Sequence, residues 1–181
     1  LAHAGDDLTE KHSECFDLLT ARLTNEVTRF VTVKVIAQIA ASPVCTGSAF
    51  DAFLQSSIAE VATLLRKSNR QLRLAAFDCL AAALSRSSTK LSTASSNSIL
   101  AEVQPLINTD MDMNLLPHIL RSINLILRND PATRESVRVS VLPQIYSVLR
   151  LPIAQGPAMD SLLAFLRLSV GAQPERAPET V

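Results

Sequence analysis

The chain of 181 residues has few of the features that mark disordered, collagen-like or disulfide-stapled proteins. Its 4 glycines and 9 prolines are too few for collagen-like or low-complexity sequence, and 48% hydrophobic residues at zero formal net charge indicate a folded chain. Three cysteines cannot all pair with each other, which argues against a secreted disulfide scaffold and favours a reducing cytoplasmic or nuclear location. At this length we expect one domain with a substantial core.

The chain also lacks an excess of charge of either sign. Its 17 basic and 17 acidic side chains balance and are spread evenly along the sequence. Nucleic acid is therefore disfavoured as a partner, because phosphate binding depends on clustered lysine and arginine. Charged residues interrupt the apolar runs well before the roughly 20 residues of a membrane span, so we expect no membrane partner. Since the first residue is Leu1, we expect a fragment or a processed product.

Aromatic residues make up only 4% of the chain and tryptophan is absent, whereas leucine and alanine are abundant. This composition favours helices over strands. Apolar residues recur at the three-and-four spacing of one helix face, a pattern that predicts an all-α protein. In one such segment they are Phe53, Leu54, Ile58, Val61, Leu64 and Leu65.

The predicted helices recur as pairs. We predict pairs over residues 8–42, 50–86, 96–129 and 132–170, followed by a disordered tail over 171–181. Arg29 and Arg73 lie 44 residues apart at equivalent places in the first two pairs. A two-helix repeat of roughly 40–47 residues is typical of HEAT and armadillo proteins. The sequence therefore predicts a right-handed α-solenoid of about four HEAT-type helix pairs, an armadillo-like superhelix over residues 1–170.

Several residues predict how the helices begin, bend and end. Asn69 or Ser68 is expected to cap the helix over 69–86, and Asp130 to cap the pair over 132–170. Prolines fall within three predicted helices, over 96–108, 112–129 and 132–150, where they predict kinks or later helix starts. They are Pro105, Pro117 and Pro143. The serine-rich segment 85–98 is predicted to be a mobile loop.

Patterns typical of catalytic or cofactor sites are missing. The sequence has no glycine-rich phosphate loop, no paired CxxC and no GxSxG. His12 and Cys15 are too few for a structural metal site, and segment 110–114 imitates only the first half of a calcium loop. We therefore expect no enzymatic activity, no catalytic residue, no metal, no cofactor and no small-molecule substrate.

The strongest local charge signal is a basic turn, Arg66, Lys67, Arg70 and Arg73, between the helices of the second pair. One interpretation is a solvated turn in which one arginine bonds to a neighbouring repeat. A second is a site for the acidic surface of a protein partner, because solenoids bind proteins along their turns and second helices. Phosphoinositide or nucleic acid binding is less favoured, since stacking aromatic residues are absent nearby.

Three ordered strings resemble a known family. They are RLTNEVTR at 22–29 with IAASP at 39–43, LLRKSNRQLRL at 64–74, and LRLPIAQG at 149–156. They are similar to the later HEAT repeats of the cullin-associated, neddylation-dissociated (Cand) proteins, of the TATA-binding-protein-interacting type. The resemblance covers about residues 16–170 in one register.

This resemblance implies a non-enzymatic scaffold that binds cullins not modified by the ubiquitin-like Nedd protein. Such a scaffold regulates assembly of SCF and other cullin-RING ubiquitin ligases, and its later repeats lie against the cullin N-terminal region. The family's adaptor-displacing hairpin is not recognisable in this chain. Two alternatives stay open, a generic HEAT-repeat adaptor with a different protein partner and an all-helical enzyme.

Overall fold

The computed structural model describes residues 1–3, 9–86, 91–151 and 155–171, and within these ranges it is helical with no strand. Short 3₁₀ turns lie at Leu64–Arg66, Gln104–Leu106 and Pro131–Thr133. The helices are α1 (His12–Thr24), α2 (Arg29–Ala41), α3 (Ser48–Thr63), α4 (Arg70–Leu84), α5 (Thr93–Val103), α6 (Leu116–Asn129), α7 (Arg134–Ser140), α8 (Leu142–Leu149) and α9 (Pro157–Gly171).

The helices stack in two layers. The second-helix layer is the continuous row in which α2 packs on α4, α4 on α6, and α6 on α9. The first-helix layer begins with α1 on α3 and continues with α3 on α5. In these two rows, a helix packs against the helix in the same position of the neighbouring pair, and α1 with α2 and α3 with α4 also pack as partners within a pair. This arrangement confirms the predicted all-α fold of HEAT-type helix pairs.

The core runs continuously between the layers and joins neighbouring pairs. Phe16 of α1 stacks on Phe53 of α3, with ring centroids 4.6 Å apart, and also contacts the ring of Phe50 at 5.8 Å. All three rings are buried. Because these contacts lie between pairs, burial of one pair's apolar face depends on its neighbour, as expected for a repeat protein.

Arg86 ties the second pair to the end of the first. Its Nη1 donates hydrogen bonds to the carbonyl oxygens of Ala40 and Ser42, each at 3.1 Å, and its Nη2 donates to that of Cys45 at 2.9 Å. Its guanidinium also lies over the ring of Phe50, 4.9 Å from the centroid. Arg86 therefore satisfies carbonyls that the end of α2 leaves without helical partners.

Asn129 makes the equivalent contact one pair later. Its Nδ2 donates to the carbonyl oxygen of Leu84 at 2.8 Å, and also to that of Leu125 at 2.9 Å. The acceptors Ala40 and Leu84 lie 44 residues apart. The same structural position thus caps the preceding second helix in two successive junctions, once with arginine and once with asparagine.

The turn before each second helix is also a repeated device. Asn25, Asn69 and Asp112 each accept a backbone N–H, two or three residues further on, at 3.0 Å. Their spacings are 44 and 43 residues. The predicted cap at Asn69 and the predicted cap at Asp130, which accepts the N–H of Ala132, are both confirmed.

The prolines shorten or divide three predicted helices, and Pro117 marks a later helix start of the kind that was predicted. Pro105 lies in the 3₁₀ turn that ends α5, and Pro117 lies in the first turn of α6, which begins at Leu116 rather than at 112. The helix predicted over 132–150 is two helices, α7 and α8, separated at Val141. Pro143 has no N–H to donate to the carbonyl four residues earlier, so the helix restarts there.

The serine-rich segment is more ordered than predicted. Residues 93–98 of the predicted loop 85–98 belong to α5, and Ser92 caps this helix by accepting the N–H of Ser95 at 3.1 Å. Serine favours this capping position, which sequence composition alone does not distinguish from a loop. Residues 87–90 of that segment and 172–181 of the predicted tail lie outside the described residues.

Candidate protein-binding surface

The basic turn is built by the end of α3 and the start of α4. Leu64 and Leu65 are buried and anchor the 3₁₀ turn, so the following side chains project from the edge of the two layers. Lys67 has extended backbone geometry, and Asn69 then caps α4 through the N–H of Leu72. The turn thus has a defined backbone conformation that holds its cations close together.

Two of the four predicted cations are paired with the third helix pair. Nε of Arg70 lies 3.0 Å from Oδ2 of Asp112, and Nη1 of Arg66 lies 3.8 Å from Oε2 of Glu102. The side chains of Arg66 and Arg70 are 58% and 54% exposed. Exposed pairs of this kind stabilise a fold by only about 0–1 kcal/mol each. The arginines can therefore exchange these carboxylates for those of a partner at small cost.

Asp112 shows the electrostatic effect of the turn. The hydrogen bond from Arg70 lowers the pKa of this carboxyl, and the backbone N–H of Asn114 lowers it further, because both favour the ionised form. Asp112 was also part of the segment that imitates a calcium loop. In the structure it is a turn cap and an ion-pair partner between repeats.

The other two predicted cations differ from each other in exposure. Lys67 is exposed and forms no ion pair within the described part of the chain. Arg73 is half-buried, and its Nε is shielded from solvent without a hydrogen-bond partner among the described residues. Its equivalent Arg29 donates to the carbonyl oxygens of Leu23 and Thr24 at the end of α1. Arg73 is thus a residue of the turn's interior, and Lys67 is a residue of its surface.

A second surface, which the sequence reasoning missed, lies along the second-helix layer. A groove of about 620 Å³ runs between α2 and α4, and its lining mixes apolar and polar side chains. Its lining residues are Phe30, Lys34, Ala37, Gln38, Gln71, Leu74, Ala75 and Asp78. The sequence did contain a signal for this surface. Two charged residues, Lys34 and Asp78, occupy the same repeat position and lie 44 residues apart.

Charges in this groove interact within and between helices. Nζ of Lys34 lies 5.4 Å from the ring centroid of Phe30, a cation–π distance. Asp78 is exposed, and its Oδ1 lies 3.7 Å from Nδ1 of His118 on α6, too far for a direct hydrogen bond. The structure therefore places His118 on this surface at the edge of the groove, where its side chain is half-exposed.

The residues considered for metal binding or catalysis do not assemble into such a site. His12 is buried against the ring of Phe16, and Cys15 is half-buried on the same helix. Within the described ranges, no group of three His, Cys, Asp or Glu side chains is placed to hold a metal ion. Burial raises the pKa of the Cys79 thiol to about 12, with a smaller contribution from Asp78, so this thiol is a poor nucleophile.

No described helix combines the length and the apolar character needed to cross a bilayer. No family model matches the chain.

Individual curated proteins do match it, among them cullin-associated NEDD8-dissociated proteins 1 and 2. The chain is 27% identical over 173 residues to cullin-associated NEDD8-dissociated protein 1 of Drosophila melanogaster, covering 96% of this chain. It is 29% identical over 169 residues to the protein of that name from Arabidopsis thaliana, covering 92% of this chain. It is also 29% identical over 157 residues to cullin-associated NEDD8-dissociated protein 2 of Rattus norvegicus, covering 87% of this chain. The resemblance to the Cand family is confirmed.

These relatives are much longer than the chain. The matches cover 14%, 14% and 12% of the Drosophila, Arabidopsis and rat proteins. The similarity therefore concerns a block of a few helix pairs within each relative.

Proposed function

We propose that this chain is a non-enzymatic binding block of a cullin-associated scaffold, one that binds cullins lacking NEDD8 and regulates assembly of SCF and other cullin-RING ubiquitin ligases. The observation that carries the proposal is similarity over 87–96% of the chain to relatives whose names state cullin association and NEDD8 dissociation. The stack of helix pairs supports it, because such stacks offer extended surfaces to protein partners. A cytoplasmic or nuclear location follows from the same proposal.

On this chain, we assign the cullin contact to the exposed cations of the basic turn. Lys67 is free to meet an acidic group, while the exposed Arg66 and Arg70 hold half-buried carboxylates that a partner's carboxylates can replace. Arg73 is half-buried in the turn, so the contact rests on the other three cations. The action is steric, since a partner held along this edge excludes another protein from the same cullin surface.

The test is a binding measurement with purified unmodified and neddylated cullin–RING complexes at two salt concentrations. We expect binding to the unmodified complex, loss of binding after neddylation, and weaker binding at the higher salt concentration. Binding of neither complex by a chain with a helical circular dichroism spectrum would contradict the proposal. Capture of a different, identified protein partner would favour a generic HEAT-repeat adaptor.

Charge reversal tests the assigned contact. The double variant Arg66→Glu with Lys67→Glu is expected to weaken cullin binding roughly tenfold or more, chiefly by removing electrostatic attraction. The matched control is Lys11→Glu with Arg22→Glu, which makes the same change in charge at exposed positions of α1. If both double variants weaken binding equally, the loss reflects net charge and the assignment to the basic turn is wrong.

A further inference from the structure

A second basic site lies at the opposite edge of the layers, where the second helices end. The cationic cleft is a cavity of about 170 Å³ lined by α6, α7, α9 and the start of α8. Its apolar floor includes Val137 and Leu142, which are buried, and Leu168, which is 42% exposed. Its rim carries three arginines, Arg128, Arg134 and Arg138.

The rim has an excess of positive charge that the described residues do not neutralise. Arg138 pairs with Glu135, with its Nε 2.9 Å from Oε2. Arg128 and Arg134 are exposed and form no hydrogen bond or ion pair with any described residue. None of the described residues that line the cleft is acidic. In a chain with zero formal net charge, this concentration of unpaired guanidinium groups is a local feature.

The size and lining of the cleft limit what it binds. Pockets for small molecules commonly measure roughly 300–1,000 Å³, so this cleft suits one or two side chains of a larger partner. Burial of an aliphatic side chain against the apolar floor makes binding more favourable, whereas phosphate alone would leave that floor uncovered. Arginine pairs well with carboxylates through parallel hydrogen bonds.

We propose that the cationic cleft binds an acidic protein segment that inserts an aliphatic side chain between Val137, Leu142 and Leu168 while its carboxylates meet Arg128 and Arg134. The site lies apart from the basic turn, and the proposal does not depend on cullin binding. It gives the chain a second contact point for an acidic protein segment, at the other edge of the layers.

The test uses a short fluorescein-labelled peptide with two leucines among glutamates, and fluorescence anisotropy as the readout. Two comparison peptides replace all glutamates by glutamines or both leucines by serines. We expect the acidic leucine peptide to bind in a salt-dependent manner and each comparison peptide to bind at least tenfold more weakly. Equal binding of the three peptides would overturn the proposal.

Variants of the chain locate the binding. Arg128→Glu with Arg134→Glu should weaken peptide binding roughly tenfold or more, and Leu168→Ser should weaken it about fivefold. Lys11→Glu with Arg22→Glu, the matched charge control on α1, should leave it unchanged. Circular dichroism and thermal unfolding verify that each variant folds.

Two results would assign the cleft differently. Equal loss of peptide binding in the control and in the cleft variants would show that the peptide senses net charge, which overturns the proposal. Self-association of the chain that Arg128→Glu with Arg134→Glu abolishes, in the absence of peptide binding, would assign the cleft to a second copy of the chain and would also overturn it. Sedimentation velocity measures the second result.

Discussion

Replacement of Arg86 by alanine is the sharpest test of how neighbouring helix pairs hold together. Two NH2 groups of this one guanidinium serve three carbonyl oxygens at 2.9–3.1 Å, and its plane covers the ring of Phe50. A charge-assisted hydrogen bond contributes about 1.5–3 kcal/mol, and a cation–π contact about 1 kcal/mol. Because Arg86 is only half-buried, water replaces part of what is lost. We expect Arg86→Ala to lower the free energy of unfolding by about 4 kcal/mol.

Urea unfolding followed by circular dichroism measures this change, and calorimetry should show a Tm lower by roughly 8–16 °C. Amide hydrogen exchange shows which part of the protein is destabilised. Protection should fall first at the end of α2 and in residues 42–47, whose carbonyls lose their donors. Loss of protection spread evenly over the helices would show instead that the junction does not behave as a local unit.

Two further variants serve as comparisons. The first separates the geometry of Arg86 from its charge, and the second measures the cost of losing an exposed ion pair. Arg86→Lys keeps the charge but not the planar guanidinium with its several N–H donors. We therefore expect it to lower the free energy of unfolding by about half as much as Arg86→Ala does. Arg70→Ala removes an exposed ion pair between repeats and should cost about 0–1 kcal/mol. If Arg86→Ala destabilises the protein no more than Arg70→Ala does, the reasoning about the capped carbonyls is refuted.

Three further predictions follow from single contacts. Asn129→Ala should cost about 1–2 kcal/mol in urea unfolding, because the last carbonyls of α4 lose a donor, and an unchanged midpoint would contradict that role. The pKa of Asp112 is lowered in the fold, so its stabilisation holds above the unfolded value of about 3.9 and disappears as the pH falls through the lower folded pKa. An NMR titration should show that Arg70→Gln raises this pKa, and an unchanged titration would exclude the ion pair. Ellman's reagent at pH 8 should modify half-buried Cys15 well before Cys79, whose pKa is about 12, and simultaneous modification would show that the core opens readily.

The fold was largely predictable because its information is local and repeated. Helix spacing, the repeat of 44 residues and the cap at Asn69 are all properties of neighbouring residues in sequence. The prolines predicted that three helices would be interrupted, but they did not distinguish a kink from a new helix start. Only the structure shows that Pro143 divides one predicted helix into α7 and α8, whereas Pro117 merely delays α6.

The candidate surfaces were less predictable because they depend on which helices lie side by side. The cluster Arg66, Lys67, Arg70 and Arg73 was visible as a run of charge, but its division into paired, free and half-buried members was not. The lining of the cationic cleft comes from four helices and includes Arg128 and Leu168, which lie 40 positions apart, so no short window of sequence contains it.

By itself, the sequence determined that this protein is a series of amphipathic helix pairs with a recurring register, because helix periodicity and capping depend on residues within one or two turns. Tertiary structure alone decided how the pairs are joined. Arg86 and Asn129 occupy one structural position, yet they differ in residue type and act on carbonyls more than 40 residues away. Every residue has a backbone carbonyl, so the sequence does not show which carbonyls these side chains will contact. The contacts can be identified only once the helices are stacked.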